Sequence, residues 1–414
     1  MNPSVFVCQV FHPDDESTSQ LFSELLAVQA GHGHRWEALV GFPATGGKWA
    51  RCPRTEVWRG VCIRRGGIRV EFKRNLLLRV LSYVCFGVWL GWRLAFCTGR
   101  SARVLVVTNP PFAPVLVWMC SRIRGWSYDV FLLDVFPDGL IALGRMAPSN
   151  LAARLWRAAN RRTFVGARRI FVLGRDMARR CELSYGVPVE KVAYFPHWSA
   201  TPTVRVQRAE DTALWATLSI DAKFVVQYSG NMGLWHDIDV IIRAAHFLRE
   251  DKTIHFLMIG RGRRRAAAEA LSETLQLTNI TWLPFQRRER LEDSLSCCHA
   301  AIISQRAGLE GVAVPCKLYG ILASGRAVIA QVPADSETAM VVQEEKCGRW
   351  IAPGDAAGLA RAIKELADDR AATEEMGRRA FAAYQSKYTL EVAAATFQRL
   401  LNGPIAESLT ASSP

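Results

Sequence analysis

The feature that most constrains the fold is a recurring alternation of short β-branched runs with helical patterns, clearest at residues 224–242. There a strand-like run, Phe224-Val225-Val226-Gln227-Tyr228, leads into Ser229-Gly230-Asn231-Met232-Gly233. An apolar pattern at helical spacing follows through Ile238, Ile241, Ile242 and Ala245. Strand, glycine turn and helix in that order belong to a parallel, doubly wound sheet. Glycines at 230 and 233 leave backbone N–H groups open near a helix start, a setting suited to an anion such as a phosphate. An ordinary strand-to-helix turn gives the same pattern, so this stretch alone leaves both readings open.

Periodicity extends the alternation along the chain. Strand-like runs at 4–10, 36–42, 104–108, 128–133 and 169–173 alternate with helical patterns, and runs at 254–259, 280–283, 300–303 and 327–330 continue the series. A chain of 414 residues exceeds a single core. The expected fold class is α/β: two Rossmann-like, doubly wound domains facing across a cleft, with ligands outside the carboxyl ends of the strands. The expected boundaries are 1–200 for the first domain, 201–218 for a polar linker and 219–385 for the second domain. Residues 386–414 are expected to form a helix packing back on the first domain, then a tail.

Charge separates the halves. The first 200 residues hold 27 Lys and Arg against 13 Asp and Glu, the remainder 25 against 25, so the net charge of +14 resides in the first half. Such asymmetry predicts an anionic partner: a membrane surface, a phosphorylated acceptor or nucleic acid. Nine cations fall between Arg51 and Arg79, and a 13-residue apolar and aromatic run, 80–92, follows. That run is short of the roughly 20 residues that span a bilayer. Its composition fits a helix lying in a membrane interface and equally the buried flank of a sheet, with a crossing segment ranked last. The eleven cysteines include no CxxC pair, and no basic stretch precedes an apolar one at the N-terminus. Reduced thiols, no metal site, no signal peptide and a cytoplasmic location are expected.

Polar residues at predicted strand ends are candidate ligand contacts. Ser17 and Thr18 follow the first strand and either touch a sugar or acceptor or cap the next helix, the capping role being favoured for Ser17. Asp134 and Asp138 stand beyond the strand at 128–133 and either bind sugar hydroxyls or shape a turn.

Four stretches together carry a family resemblance: Tyr228-Ser229-Gly230-Asn231-Met232-Gly233, Ile259-Gly260-Arg261-Gly262, Leu283-Pro284-Phe285, and the run from Pro315-Cys316-Lys317 to Ala330. They resemble family-4 retaining glycosyltransferases of the GT-B fold, in the bacterial exopolysaccharide and O-antigen branch of fucosyl- and N-acetylfucosaminyl-transferase-like enzymes. The first half agrees through Gly31-His32-Gly33-His34, Asp134-Val135-Phe136-Pro137-Asp138, Leu173-Gly174-Arg175-Asp176-Met177 and Phe195-Pro196-His197-Trp198, where similar sequences often have Asn in place of His197.

The resemblance implies a nucleotide-sugar donor, a UDP-sugar, in the second domain. Its diphosphate would lie against Ser229, Gly230, Asn231 and Gly233, near His236, Gly260 and Pro315, with Arg261 and Lys317 neutralising it and backbone groups around Phe285 meeting the base. Glu310 looks like the first acid of the family's E-x7-E motif, whose role is to contact donor sugar hydroxyls; Gly320 stands where the second acid falls. The implied reaction is a retaining transfer needing no metal or other cofactor, to a polyprenyl-diphosphate-linked glycan. The enzyme would sit peripherally on the inner face of the cytoplasmic membrane and use its basic first half on an anionic membrane surface, not on nucleic acid. A GT-B epimerase or phosphorylase is the alternative, and a basic nucleic-acid-binding protein the more distant one.

Overall fold

In the computed structural model, which describes residues 3–43, 52–69, 76–99, 101–199, 206–218, 220 and 223–403, the strands form two sheets. The first contains β1 (Ser4–Val7), β2 (Trp36–Gly41), β3 (Thr55–Trp58), β4 (Val61–Gly66), β5 (Val104–Val107), β6 (Tyr128–Leu132), β7 (Arg169–Val172) and β8 (Val192–Tyr194). Its order is β3-β4-β2-β1-β5-β6-β7-β8, and every pairing is parallel except β3 with β4. β5 and β6 are buried at every position, which explains their unbroken apolar sequence: a parallel strand has no face left for water.

The second sheet contains β9 (Phe224–Asn231), β10 (Ile254–Arg261), β11 (Ile280–Leu283), β12 (Ala300–Ser304), β13 (Ala327–Gln331) and β14 (Gly348–Ile351), in the order β11-β10-β9-β12-β13-β14 and all parallel. The chain winds outward from β9 in one direction and then from β12 in the other. Loops after β9 and β12 therefore meet where the order reverses, the position at which open α/β sheets hold ligands.

The chain forms two compact units, Met1–Pro196 with Gly311–Ala313 and Leu390–Pro414, and His197–Glu310 with Val314–Thr389. The second unit thus begins at His197 rather than 219. Of the predicted linker, 201–205 lie outside the described residues, while Ala213–Thr217 is a short helix whose leading N–H groups, of Ala213 and Leu214, donate to the Asp293 carboxylate at 2.7 and 2.8 Å. Residues 404–414 of the predicted tail also lie outside the described residues. The Leu390–Asn402 helix belongs to the first unit. There Phe397 is fully buried among Trp36, Phe171 and Phe195, and the Leu401 carbonyl accepts from Arg103 at 2.6 Å. Buried Asp129 holds Arg103 and Arg168 at 2.8 and 2.9 Å beside it.

The basic stretch from 51 to 79 hides a hairpin that charge counting passed over; Arg51, Lys73 and Arg74 lie outside the described residues. β3 and β4 are joined by Arg59-Gly60, both at positive φ (45° and 83°), the geometry of the tight turn that matches strand twist. Some of the excess charge is consumed inside the fold. Arg65 is 2% exposed, pairs with Glu56 and donates to the His12 carbonyl at 2.7 Å, and Arg64 and Arg93 share Glu37.

The apolar run is longer than its composition implied. The Leu76–Trp92 helix continues through a π turn at Arg93–Cys97, so 21 residues from Leu77 are long and apolar enough to cross a membrane by length and composition. One side packs into the first unit: Phe86, Leu90 and Leu94 are buried, and the Trp89 ring fills the space beside Gly66. On the other side Leu77, Val80, Leu81, Val84, Val88, Trp92 and Phe96 are exposed, Val88 by 70%. Their three- and four-residue spacing makes one stripe. Neither earlier reading describes this helix by itself, because it is flank on one face and open on the other.

Candidate functional site

The second unit gathers the predicted donor residues at the carboxyl ends of β9 and β10. Gly230 and Asn231 pair in register with Gly260 and Arg261. A Cβ at Gly260 would lie 1.9 Å from the Gly230 carbonyl oxygen, and its φ of 138° is closed to most side chains, so the two strand ends meet at this distance only with glycine there. Arg265, to which no role was assigned from sequence, holds this edge together. Its guanidinium donates to the Gly260 carbonyl and, at 2.7 Å, to that of Leu283, tying β10 to β11. Beyond β9, the Asp237 N–H donates to Ser304 Oγ at 2.9 Å and the Arg306 N–H to the Trp235 carbonyl at 3.0 Å, which seats the glycine loop against the end of β12.

Lys317 projects into this edge. Its Nζ is buried, has no hydrogen-bond acceptor among the described residues, and sits 3.8 Å above the centre of the Tyr228 ring. A side chain at Gly230 would take the space 3.5 Å in front of Nζ. Tyr228, fully buried, donates its hydroxyl to the Asn231 carbonyl at 2.9 Å, so one ring braces both the lysine and the turn. Desolvation pushes the Lys317 ammonium down to about 7. A buried cation supported by a π face alone is costly unless an anion joins it.

His236, expected near the diphosphate, is lowered to about 3 by burial, reinforced by the Lys317 charge. Its Nδ1 accepts the Gly233 N–H at 3.2 Å, which leaves the ring proton on Nε2. His236 is a neutral donor at the loop.

Arg261 stands on a different footing from Lys317. It is exposed, and its guanidinium lies 4.9 Å over the Phe285 ring, so the structure groups Arg261 with the predicted base contact. Ser229 and Asn231 lie at the end of β9 and Gly233 on the loop that follows; Pro315 precedes Lys317 by two residues, its carbonyl accepting the Leu318 N–H at 3.3 Å. Glu310 is half-buried on the loop between β12 and the Lys317–Ala323 helix.

In the first unit, Ser17 and Thr18 open the Ser17–Gly31 helix, but Glu16 occupies the cap position and supplies no side-chain cap, so Ser17 is not the cap. Asp134 stands at the end of β6, where desolvation raises its carboxyl to about 6. Asp138 is 4% exposed and is gripped by Arg157 and Arg180, each at 3.1 Å. Those two partners give it a structural role as an internal ion pair.

Residues 211–383 match the family model described as "Glycosyl transferases group 1". The chain is 24% identical over 357 residues to "Probable glycosyltransferase WbjE" of Pseudomonas aeruginosa, covering 83% of this chain and 87% of that protein. It is 24% identical over 338 residues to "Putative colanic acid biosynthesis glycosyl transferase WcaI" of Escherichia coli (strain K12), covering 79% and 82%. Among solved structures, Anabaena Alr3699/HepE in complex with UDP and glucose superposes with a TM-score of 0.71 at 13% identity, over 97% of this chain and 99% of that one. At that identity the likeness shows the fold, which is GT-B.

Proposed function

We propose that this chain, a glycosyltransferase with a group 1 domain in its second unit, moves a sugar from a UDP-sugar to a lipid-linked glycan during synthesis of a bacterial surface polysaccharide. The observation that carries the donor reading is Lys317: a buried ammonium with no hydrogen-bond acceptor among the described residues, facing a glycine edge that leaves room for a diphosphate. The complex of HepE with UDP and glucose, and the name of WcaI, support the donor class and the pathway class.

The reaction proceeds with retention at the anomeric carbon. As the bond from C1 to the diphosphate oxygen stretches, negative charge grows on the leaving group, and Lys317 neutralises it. A phosphate oxygen on the same face takes the acceptor hydroxyl's proton as the new C–O bond forms. Positioning and charge neutralisation supply the catalysis, with the protein's own cation in the place a divalent ion would take. His236 Nε2 adds a neutral donor beside the loop, and Glu310 orients donor sugar hydroxyls.

The first unit brings the acceptor. The exposed stripe from Leu77 to Phe96 lies in an anionic lipid surface while its opposite face stays packed on the sheet, so the helix rests in the interface and does not cross. The transfer takes place at the cytoplasmic face of the membrane.

A panel of UDP- and GDP-sugars read by thermal stabilisation identifies the donor, since a ligand at 100 times its Kd adds about 2.7 kcal/mol. UDP release that requires a lipid-linked acceptor is the expected result. Release or sugar isomerisation without an acceptor would replace this reading with an epimerase or phosphorylase.

Titration of Lys317 gives a second test. Its ordinary value is 10.5, so between about pH 7 and 10.5 the unfolded chain binds the extra proton and the ligand-free fold gains stability as pH rises. A diphosphate at Nζ favours the charged form and acts in the opposite direction. UDP affinity is therefore expected to fall by up to about tenfold per pH unit above pH 7, with proton uptake on binding. Calorimetry in buffers of different ionisation enthalpy measures both, and Lys317→Met should flatten the slope.

A further inference from the structure

One aromatic ring in the second unit touches three groups of the glycine loop at once. Tyr228 is fully buried on β9, which runs between β10 and β12, and it shares an apolar cluster with Met232 and Ile238. Its hydroxyl is tied to the Asn231 carbonyl at 2.9 Å, and the His236 ring meets it edge-on with centroids 6.3 Å apart. Packing on these sides fixes the plane of the ring. Lys317 is the opposite kind of side chain, a point charge on a flexible four-carbon stem. It starts the Lys317–Ala323 helix, and its Nζ comes to rest 3.8 Å from the ring centre. Among the described residues no atom accepts a hydrogen bond from Nζ, so the π face stands where a counter-ion would. The titratable groups around the ammonium are His236, which is neutral, the Tyr228 hydroxyl, which burial raises so that it keeps its proton, and Cys316, which adjoins it on the chain.

We propose that Tyr228 is a positioning residue for the donor diphosphate: its ring holds Lys317 as a cation at the glycine edge before the nucleotide arrives. This rests on the reading that Lys317 meets the diphosphate. The ring acts through the lysine and needs no contact with the nucleotide. Burial disfavours the ammonium and brings Lys317 down to about 7, whereas the negative face of the ring attracts the ammonium and not the neutral amine. Weakening that face raises the free energy of the cation alone. More of the protein then carries an amine that cannot neutralise a phosphate, and the deficit grows with pH. The hydroxyl has a separate task, since it holds the Asn231 carbonyl and with it the turn at every pH.

The test separates ring from hydroxyl on the full chain. Tyr228→Phe removes the hydroxyl and keeps the ring. Phenylalanines carrying one, two or three fluorines at the same position keep nearly the same shape, so the core stays filled, while the negative face weakens step by step. UDP affinity is measured by calorimetry from about pH 5.5 to about pH 8, and each fluorinated protein is compared with Tyr228→Phe, so that the nucleotide's own titration cancels. His236 stays neutral throughout that range. With three fluorines the pH above which affinity falls should move down by about one unit. That corresponds to about tenfold weaker binding at the upper end of the range and agreement within about twofold at the lower end. A profile unmoved by fluorine would overturn the proposal. So would a loss equal at every pH, which would make Tyr228 a structural residue of the turn. Lys317→Met tells this failure from that of the reading beneath it. Parent-like UDP affinity in that variant would remove the diphosphate reading and the proposal together, whereas weakened binding there with an unmoved fluorine profile would overturn the role of Tyr228 alone.

Discussion

Lys317→Ala is expected to lower kcat/KM for the nucleotide-sugar by about 10³-fold and leave the protein folded. Removing one preorganised electrostatic stabiliser typically costs on the order of 10²–10³ in rate. Lost attraction for the ground-state diphosphate adds to that. Folding should not suffer, because the ammonium has no hydrogen-bond acceptor among the described residues and its burial penalises the charged form. Denaturant midpoints for the ligand-free variant should equal or exceed those of the parent, while UDP stabilises the variant much less. Steady-state transfer assays and melting curves with and without UDP report both halves. Near-normal transfer by the variant would take Lys317 out of the site.

The second large effect belongs to the first unit. Val84→Glu combined with Val88→Glu should abolish sedimentation with anionic vesicles at low salt. Both valines are exposed, by 56% and 70%, so charge there disturbs little of the core. Each valine carried into an apolar layer is worth roughly 1.5–3 kcal/mol, and two new carboxylates are repelled by an anionic surface. A weakening of at least about 10²-fold follows from the apolar contribution of the pair. Transfer to a short, water-soluble acceptor should be unaffected, while transfer to a lipid-linked one falls. Vesicle binding equal to the parent's would remove the stripe from the membrane contact.

Much of this architecture is legible in the sequence because parallel strands buried on both faces are written as unbroken apolar runs, as in Val104-Leu105-Val106-Val107 and Ala300-Ala301-Ile302-Ile303-Ser304. The loop after β9 was equally legible, since glycine at strand ends signals close backbone approach. The hairpin of β3 and β4 was not. Its strands carry Thr55, Glu56, Arg64 and Arg65, and charge drew attention away from the Arg59-Gly60 turn that was its signal. Length of the apolar helix escaped for a related reason: Arg79 and Arg93 appeared to bracket it, yet both lie within the helical run. Two features were beyond sequence reasoning altogether. Tyr228 reads as one more strand aromatic until Lys317, 89 positions later, is seen above its ring. The neutral state of His236 depends on burial that no local pattern encodes.

The helix at Leu390–Asn402 bears on how the protein is made. A growing chain has synthesised β1 through β8 by residue 194, yet Trp36, Phe171 and Phe195 still lack Phe397, and Arg103 still lacks the Leu401 carbonyl. The first unit is therefore completed only after the second unit has been translated. A fragment ending at residue 196 would expose that aromatic surface, and expression of the first unit alone requires its C-terminal helix to be supplied, by fusion or as a separate peptide.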